Sequence, residues 1–222
     1  MMQAPATCGE LVQGTLDGIP CLVSCPIDLF STAAITLRHQ TGWIGPNDAP
    51  KALHAVERGA VSLGLRERGG TLSLQSAIPR GRGYGSSTAD IVAALASLAE
   101  TAGLVMDPDL AASIAVSVEP SDSTMYPGLA LFDHRAASRH EDLGPAPDLA
   151  VIVLDPGGEV DTVAFNQRDT ADALRRLAPD HRQAFDLLRW GLRRGDMTAV
   201  GAAASLSARL HQTILHNPLL DA

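Results

Sequence analysis

Aromatic residues and long apolar runs are both scarce in this sequence. Phe, Trp and Tyr together make up only 4% of the 222 residues, so the core must be built mainly from Ala, Leu, Val and Ile. No run of about 18 apolar residues, the length of a membrane-spanning helix, is present. The first residues also lack the charged and hydrophobic parts of a secretory signal. We therefore expect a cytoplasmic protein.

Cysteine is scarce as well, with three residues in the chain. A structural zinc site needs about four Cys or His ligands at short spacing, and no histidine lies near these cysteines. The seven histidines show no metal-ligand spacing either. We expect the cysteines to pack as small apolar side chains near the N-terminus: Cys8, Cys21 and Cys25.

Positive charge is outnumbered, since 17 Lys and Arg face 25 Asp and Glu, giving a formal net charge of −8. A nucleic-acid partner usually requires a basic face, so this balance argues against one. It does not exclude an anionic nucleotide, because backbone N–H groups and a few local cations bind phosphate in acidic proteins.

Glycine is plentiful in one place, the segment 79–89, which joins a predicted strand to a predicted helix. Gly81, Gly83 and Gly85 alternate along it, so the backbone can turn successive N–H groups inward without obstruction by a Cβ. Such a nest, together with the positive end of the following helix, binds phosphate. The hydroxyls that follow can bond phosphate oxygens or a phosphate-bound Mg²⁺. The predicted phosphate-binding residues are Pro79, Arg80, Gly81, Arg82, Gly83, Tyr84, Gly85, Ser86, Ser87 and Thr88.

The alternative interpretation of this segment is a flexible glycine turn with Ser86 or Ser87 as an ordinary helix N-cap. The segment is neither a Walker A loop nor a dinucleotide fingerprint, because both of those glycine spacings are absent.

A pair of carboxylates, Glu119 and Asp122, follows the next predicted helix. Pro120 and Ser121 indicate a turn, which presents both side chains from a loop. A carboxylate within hydrogen-bond reach of an alcohol can act as base or positioner in phosphoryl transfer. Asp122 could instead form an Asx turn with its neighbours. Glu119 could hold Mg²⁺, contact a substrate ammonium or lie on the surface.

The remaining pattern predicts an α+β protein of two lobes, with strands and helices over residues 1–147 and a mostly helical part over residues 148–222. Asp17-Gly18 is a hairpin signal, and Asp107-Pro108 is a helix start. We expect strands at 21–25, 31–38, 71–76, 128–133 and 149–154, the last fully buried, and a polar linker at 135–147. Helices are expected at about 49–65, from the end of the glycine loop to 102, and from Asp107-Pro108 to about 117. Three more are expected at 170–178, 180–194 and 196–214.

The spacing Pro79-x-x-x-Gly83-x-Gly85-Ser86-Ser87 resembles the second motif of the kinase superfamily named for galactokinase, homoserine kinase, mevalonate kinase and phosphomevalonate kinase (GHMP). Two further blocks, 5–14 together with 23–28, and 118–126, look like the L-threonine kinases of cobalamin synthesis within it. The resemblance implies a two-lobed fold and transfer of the γ-phosphate of ATP, with Mg²⁺, to the hydroxyl of L-threonine. It implies that residues 1–147 are the ATP-binding lobe, that residues 148–222 are a partial C-terminal lobe, and that Asp122 is the catalytic residue. Ser87 and Glu119 are the expected metal ligands, although in relatives with an acidic metal ligand that residue usually lies farther before the catalytic Asp.

Three short polar residues at strand ends could line a pocket for an amino-acid substrate: Glu10, Gln13 and Asp28. The expected partner is thus a small molecule, and the oligomeric state is left open. A homoserine or isoprenoid-precursor kinase, or an inactive nucleotide-binding module, are the alternative functions.

The chain departs from the superfamily pattern in two places. Thr7 stands where the first motif often has a lysine, so the cation beside the phosphates must come from elsewhere, from Arg80 or Arg82 or from Mg²⁺ alone. A third glycine-rich motif is also missing near the C-terminal end, so we expect a truncated second lobe.

Overall fold

The computed structural model describes residues 1–154, 171–216 and 220. Strands and helices alternate in the first part, and helices follow, which is the α+β class that the sequence predicts. The elements within these residues are β1 (Met2–Leu16), β2 (Ile19–Arg38), β3 (Gly42–Ile44), α1 (Pro50–Ser62), β4 (Gly69–Ser76), α2 (Ser86–Thr101), α3 (Pro108–Val118), β5 (Leu129–Asp133), β6 (His140–Gly144), α4 (Ala171–Arg194) and α5 (Met197–His211).

A long antiparallel hairpin of β1 and β2 is the centre of the sheet. Its turn is Asp17-Gly18, where both residues have positive φ, 55° and 78°. This is the backbone that Asp-Gly favours between paired strands, and the hairpin prediction is confirmed. Beyond β1, β2 pairs with β5 through residues 21–23 and with β4 through residues 31–38. The sheet order is β3-β4-β2-β5-β6, with β1 on β2.

Two buried apolar clusters lie along this hairpin. In the first, α1, α2 and α3 pack on one end of it, around Ala4, Ala33 and Leu95. In the second, α4 and α5 pack on the other end, around Val12, Val23 and Phe185. Full burial of a Leu or Val side chain stabilises the fold by about 1.5–3 kcal/mol. These clusters therefore hold the segments between them, which carry the candidate site.

The start of α3 confirms the prediction made from Asp107-Pro108. The Asp107 side chain accepts a hydrogen bond of 2.9 Å from the backbone N–H of Leu110, and Pro108 is the first helical residue. The cap satisfies one of the N–H groups that a helix start leaves without a partner. As a result α3 begins at a defined point and delivers Glu119 at its C-terminal end.

The prediction of a buried strand at 149–154 is wrong. These residues are neither strand nor helix, and Ile152 and Leu154 are 87% and 75% exposed. An apolar run specifies a strand only where a neighbouring strand offers backbone partners. None of the strands in the described ranges pairs with this segment.

The prediction of a polar linker over 135–147 is also wrong in part, because β6 lies inside it. β6 pairs antiparallel with β5 at the edge of the sheet, with His140 opposite Phe132. Polar residues suit an edge strand, since one of its faces remains in water. Its sequence therefore does not distinguish it from a loop.

The predicted helix break between 178 and 180 is not observed, because α4 runs through Pro179. A proline inside a helix loses a backbone hydrogen bond, but the following turns are buried at Ala184, Phe185 and Leu188. That packing offsets the loss. None of the helices in the described residues is long and apolar enough to cross a membrane.

Candidate functional site

The glycine loop has the backbone that its sequence predicts. Gly81, Gly83 and Gly85 have φ of 68°, 78° and 63°, a region that other residues avoid. The loop is joined to β1 by a 3.0 Å hydrogen bond from the Thr7 N–H to the Tyr84 carbonyl. It therefore leads from the sheet into the start of α2.

Gly85 is required for space as well as for φ. A Cβ added there would lie 2.5 Å from Asp122 Oδ2 and 2.6 Å from Thr7 Oγ1. Both distances are shorter than any ordinary contact of a carbon atom with an oxygen. The loop backbone thus lies directly against the predicted catalytic carboxylate.

The start of α2 has no side-chain cap, since its N-cap residue is Gly85. The alternative interpretation of Ser86 or Ser87 as an ordinary N-cap is therefore wrong. The Ser87 hydroxyl instead donates to Oε1 of Glu119, and Thr88 Oγ1 accepts a 3.2 Å bond from the Asp122 N–H. The first N–H groups of α2 remain available to an anion, which the helix dipole also favours.

Arg80 serves to anchor the loop. Its Nη1 lies 2.8 Å from Asp90 Oδ2 and its Nε lies 3.5 Å from Asp48 Oδ2. Asp90 is only 2% exposed and also accepts a 2.5 Å bond from the Ser31 hydroxyl. The charge of Arg80 is thus paired with a buried carboxylate, and its role toward phosphate stays a prediction.

The Asp122 side chain is hydrogen-bonded to Ser24 of β2. Its Oδ1 accepts a 3.3 Å bond from the Ser24 hydroxyl, which in turn accepts a 3.1 Å bond from the Ser123 N–H. Burial raises the pKa of Asp122, as does the nearby Glu119 charge, while hydrogen bonds from Ser24, Thr88 and Thr7 act in the opposite direction. A partly desolvated carboxylate with a raised pKa is the better base.

Glu10 lies beside Asp122. Burial and, to a smaller extent, the nearby Asp122 charge raise the pKa of Glu10 to about 7. Gln13 donates a 3.3 Å bond from Nε2 to Glu10 Oε2. The pairing of β1 with β2 is irregular between Thr7 and Glu10, and such bulges re-aim side chains. The Glu10 carboxyl group therefore lies close enough to Asp122 for the charge of Asp122 to raise its pKa.

The Glu119 carboxylate contacts residues at the starts of two helices, Lys51 of α1 and Ser87 of α2. Glu119 is the C-cap residue of α3, 15% exposed, and its Oε2 lies 2.5 Å from Nζ of Lys51. Lys51 is the second residue of α1. Sequence reasoning missed Lys51; the available signals were that it is the sole lysine of the sequence and that it follows the proline that opens a helix.

Asp28 lies apart from this group. It is exposed and lines a cleft of about 740 Å³ with Phe30 and residues 146–151. The structure brings together Ser87, Glu119, Asp122 and Glu10, with Gln13 beside the last, and does not bring Asp28 to them. An adjoining cleft of about 430 Å³ shares Pro5, Pro26 and Ala146 with the cleft that Asp28 lines. It is also lined by Ser24, Ser123 and, on α2, Val92 and Ala96.

The chemistry of these groups defines a class of site. A nest of N–H groups at an open helix start suits phosphate, a hydroxyl and a carboxylate suit a hard cation, and a buried carboxylate of raised pKa suits proton transfer. In the part of the chain that the structure describes, no three His, Cys, Asp or Glu side chains are grouped to hold a metal by themselves. The arrangement is compatible with a phosphotransferase.

Comparison with known proteins agrees with this class. The family described as GHMP kinases N terminal domain matches residues 48–133, which include the loop, Glu119 and Asp122. An L-threonine kinase of Salmonella typhimurium is 33% identical over 219 residues, covering 97% of this chain and 72% of that protein. One from Citrobacter freundii is 32% identical over 227 residues, covering 99% and 76%. The chain therefore belongs to the GHMP kinase family, which confirms the resemblance, and it is an ATP-dependent kinase.

Solved structures show the same fold. Phosphomevalonate kinase of Streptococcus pneumoniae, in complex with phosphomevalonate and AMPPNP, superposes with a TM-score of 0.65 at 15% identity, over 100% of this chain and 84% of that one. The L. major mevalonate kinase in complex with R-mevalonate gives 0.62 at 15% identity, over 96% and 74%. A putative homoserine kinase from Listeria monocytogenes gives 0.56 at 17% identity, over 96% and 76%. The α+β kinase fold predicted from the sequence is confirmed.

Proposed function

We propose that this kinase transfers the γ-phosphate of ATP to the hydroxyl of L-threonine, giving O-phospho-L-threonine for cobalamin synthesis. The observation that carries the proposal is the contact between the glycine loop and the buried Asp122 carboxylate at Gly85. It puts a proton acceptor within reach of a phosphate bound at the start of α2. The choice of threonine is supported by the two L-threonine kinases that resemble the chain.

Magnesium fits the residues at the start of α2. Ser87 Oγ and Glu119 Oε1 are hard oxygen ligands that already face each other, and Mg²⁺ commonly takes one or two carboxylates together with substrate phosphates. When bound there, the ion would neutralise charge that develops on the phosphates. The hydrogen bond between Ser87 and Glu119 would then open so that both oxygens face the cation.

The transfer requires one bond to form and one to break. The acceptor oxygen attacks the γ-phosphorus, and the bond from that phosphorus to the β,γ-bridging oxygen breaks, releasing ADP. The hydroxyl proton passes to the Asp122 carboxylate, whose pKa is raised by burial. Loop N–H groups of residues 81–88 hold the phosphates in line with the acceptor, so that positioning supplies much of the rate.

Glu10 is suited to the amino group of the acceptor. Its coupling to Asp122 means that a cation bound between them would lower the pKa values of both groups. An amino acid carries such an ammonium group next to its hydroxyl chain, whereas an isoprenoid precursor does not. Gln13 would hold the Glu10 carboxylate through its side-chain amide.

The test is ADP release measured with L-threonine, L-serine, L-homoserine, mevalonate and no acceptor, with the product identified by mass spectrometry. We expect phosphothreonine as the main product. Faster turnover of homoserine or mevalonate would identify one of the other kinases instead. Tight ATP binding without turnover of any acceptor would indicate an inactive binding module. Restored cobalamin synthesis in a strain that lacks threonine kinase would test the pathway.

A further inference from the structure

Neither the glycine loop nor the stability of the fold requires a lysine side chain at position 51. Its Nζ lies 2.5 Å from Glu119 Oε2, and the other oxygen of that carboxylate accepts the Ser87 hydroxyl. A single carboxylate group therefore separates the ammonium from the hydroxyl at the start of α2. Lys51 is the only lysine in the sequence.

The stability of the fold does not explain this placement. Lys51 is 53% exposed, and an ion pair with so exposed a partner contributes little. A positive charge in the first turn of α1 also opposes the dipole of that helix. The ammonium is on a long side chain that can move between partners without disturbing the core.

The site needs a cation at this place. Glu10, Glu119 and Asp122 make it acidic, while the triphosphate of ATP is itself strongly anionic. Arg80 is engaged with Asp90, which is 2% exposed, and removing a partner from a buried charge is costly.

The position at which related kinases often carry a motif-one lysine is Thr7. Its side chain is 2% exposed and bonds to Asp122. A short neutral hydroxyl in that environment cannot supply the missing charge.

We propose, resting on the proposed function, that Lys51 is a phosphate-binding cation of this site. Without nucleotide its ammonium neutralises Glu119. With nucleotide and metal bound, the Glu119 carboxylate would be available as a metal ligand, and the Lys51 ammonium would be available to pair with a phosphate oxygen. The helix starts of α1 and α2 thus each bring one group to the phosphates, an ammonium and a nest of N–H groups.

Variants test this directly. Titration calorimetry of ADP and of a non-hydrolysable ATP analogue, with and without Mg²⁺, would compare K51M with wild type. We expect about 10- to 100-fold weaker binding in both conditions, equal to about 1.4–2.7 kcal/mol, and substantial recovery in K51R. The matched control is R58M, which removes an exposed charge from the same helix. Unchanged affinity in K51M, or an equal loss in R58M, would overturn the proposal.

A second measurement uses the unmodified protein and so does not depend on the folding of a variant. An amine-acylating reagent can label only Lys51 and the N-terminal amine of this sequence, and the latter pairs with Glu100 at 2.9 Å, on the far end of α2. We expect saturating ADP to slow labelling of Lys51 at least tenfold relative to the N-terminal amine. An unchanged ratio would refute the role of Lys51.

The proposed function and the proposed role of Lys51 would be overturned by different results. Threonine phosphorylation without nucleotide protection of Lys51 would overturn only the inference about Lys51. Protection of Lys51 without phosphorylation of any acceptor would support Lys51 as a phosphate ligand and overturn only the proposed function.

Discussion

Replacing Gly85 by alanine would insert a methyl group between the phosphate loop and Asp122. The new carbon would begin 2.5 Å from Asp122 Oδ2 and 2.6 Å from Thr7 Oγ1, so Asp122, Thr7 or the loop must move. Gly83→Ala is a matched control, because Gly83 has a similar φ of 78° and nothing within 4 Å of its added Cβ. The two variants share backbone strain and differ in the contact with Asp122.

The magnitudes follow from that difference. Positive φ costs an alanine about 1–2 kcal/mol in either variant, and overpacking costs Gly85→Ala about 1–3 kcal/mol more. For a chain of this size each kcal/mol lowers Tm by about 2–4 °C. Displacement of the catalytic carboxylate by about 1 Å lowers turnover on the order of 10²-fold, so Gly85→Ala should lose far more kcat than Gly83→Ala.

Thermal unfolding and threonine-dependent ADP release measure the two effects on the same samples. Affinity for ADP should change to a similar extent in both variants, because both carry the same backbone strain and both keep the N–H groups of the loop. Equal kcat and equal Tm in the two variants would show that Asp122 does not lie against the loop, and would refute this account of the site.

Three further variants test single side chains. Asp122→Asn should lower kcat by about 10²–10⁴-fold and leave the Kd of ATP nearly unchanged; an equal loss of both would contradict its role as a base. Ser87→Ala should raise the Mg²⁺ concentration needed for half-maximal rate, as measured by titrating the metal at saturating ATP, and an unaltered requirement would exclude Ser87 as a ligand. The pKa of Glu10 is raised from 4.5 to about 7, so its stabilising neutral form is lost as pH rises through that range. Glu10→Gln should therefore unfold at a higher temperature than wild type at pH 8 and show less pH dependence between pH 5 and pH 8; identical pH profiles would count against the raised pKa.

Parts of the structure that depend on local backbone chemistry could be predicted from the sequence. Gly81, Gly83 and Gly85 need positive φ, and Asp107 needs only its own helix to act as a cap. The loop position of Glu119 and Asp122 was also predictable, because a turn after a helix presents its side chains whatever surrounds them.

Features that depend on distant partners were missed. The apolar residues 149–154 gave no indication of whether a strand would lie beside them. Glu10 is brought near Asp122 where β1 and β2 pair irregularly. A bulge of this kind leaves no periodic pattern in the sequence from which it could be predicted. Lys51 was missed because one exposed charge at a helix start has no pattern, and only the fold brings it to Glu119.

The β1–β2 hairpin contributes side chains to both buried clusters, Ala4 and Ala33 to one and Val12 and Val23 to the other. Thr7, Glu10 and Ser24 lie on the stretches between, where each strand passes from one cluster to the other. These candidate site residues therefore lie at the boundary between the two clusters, and loosening of either cluster would shift them before the hairpin itself separates. On heating, this kinase should therefore lose activity at a lower temperature than it loses helical circular dichroism, whichever of the two clusters loosens first.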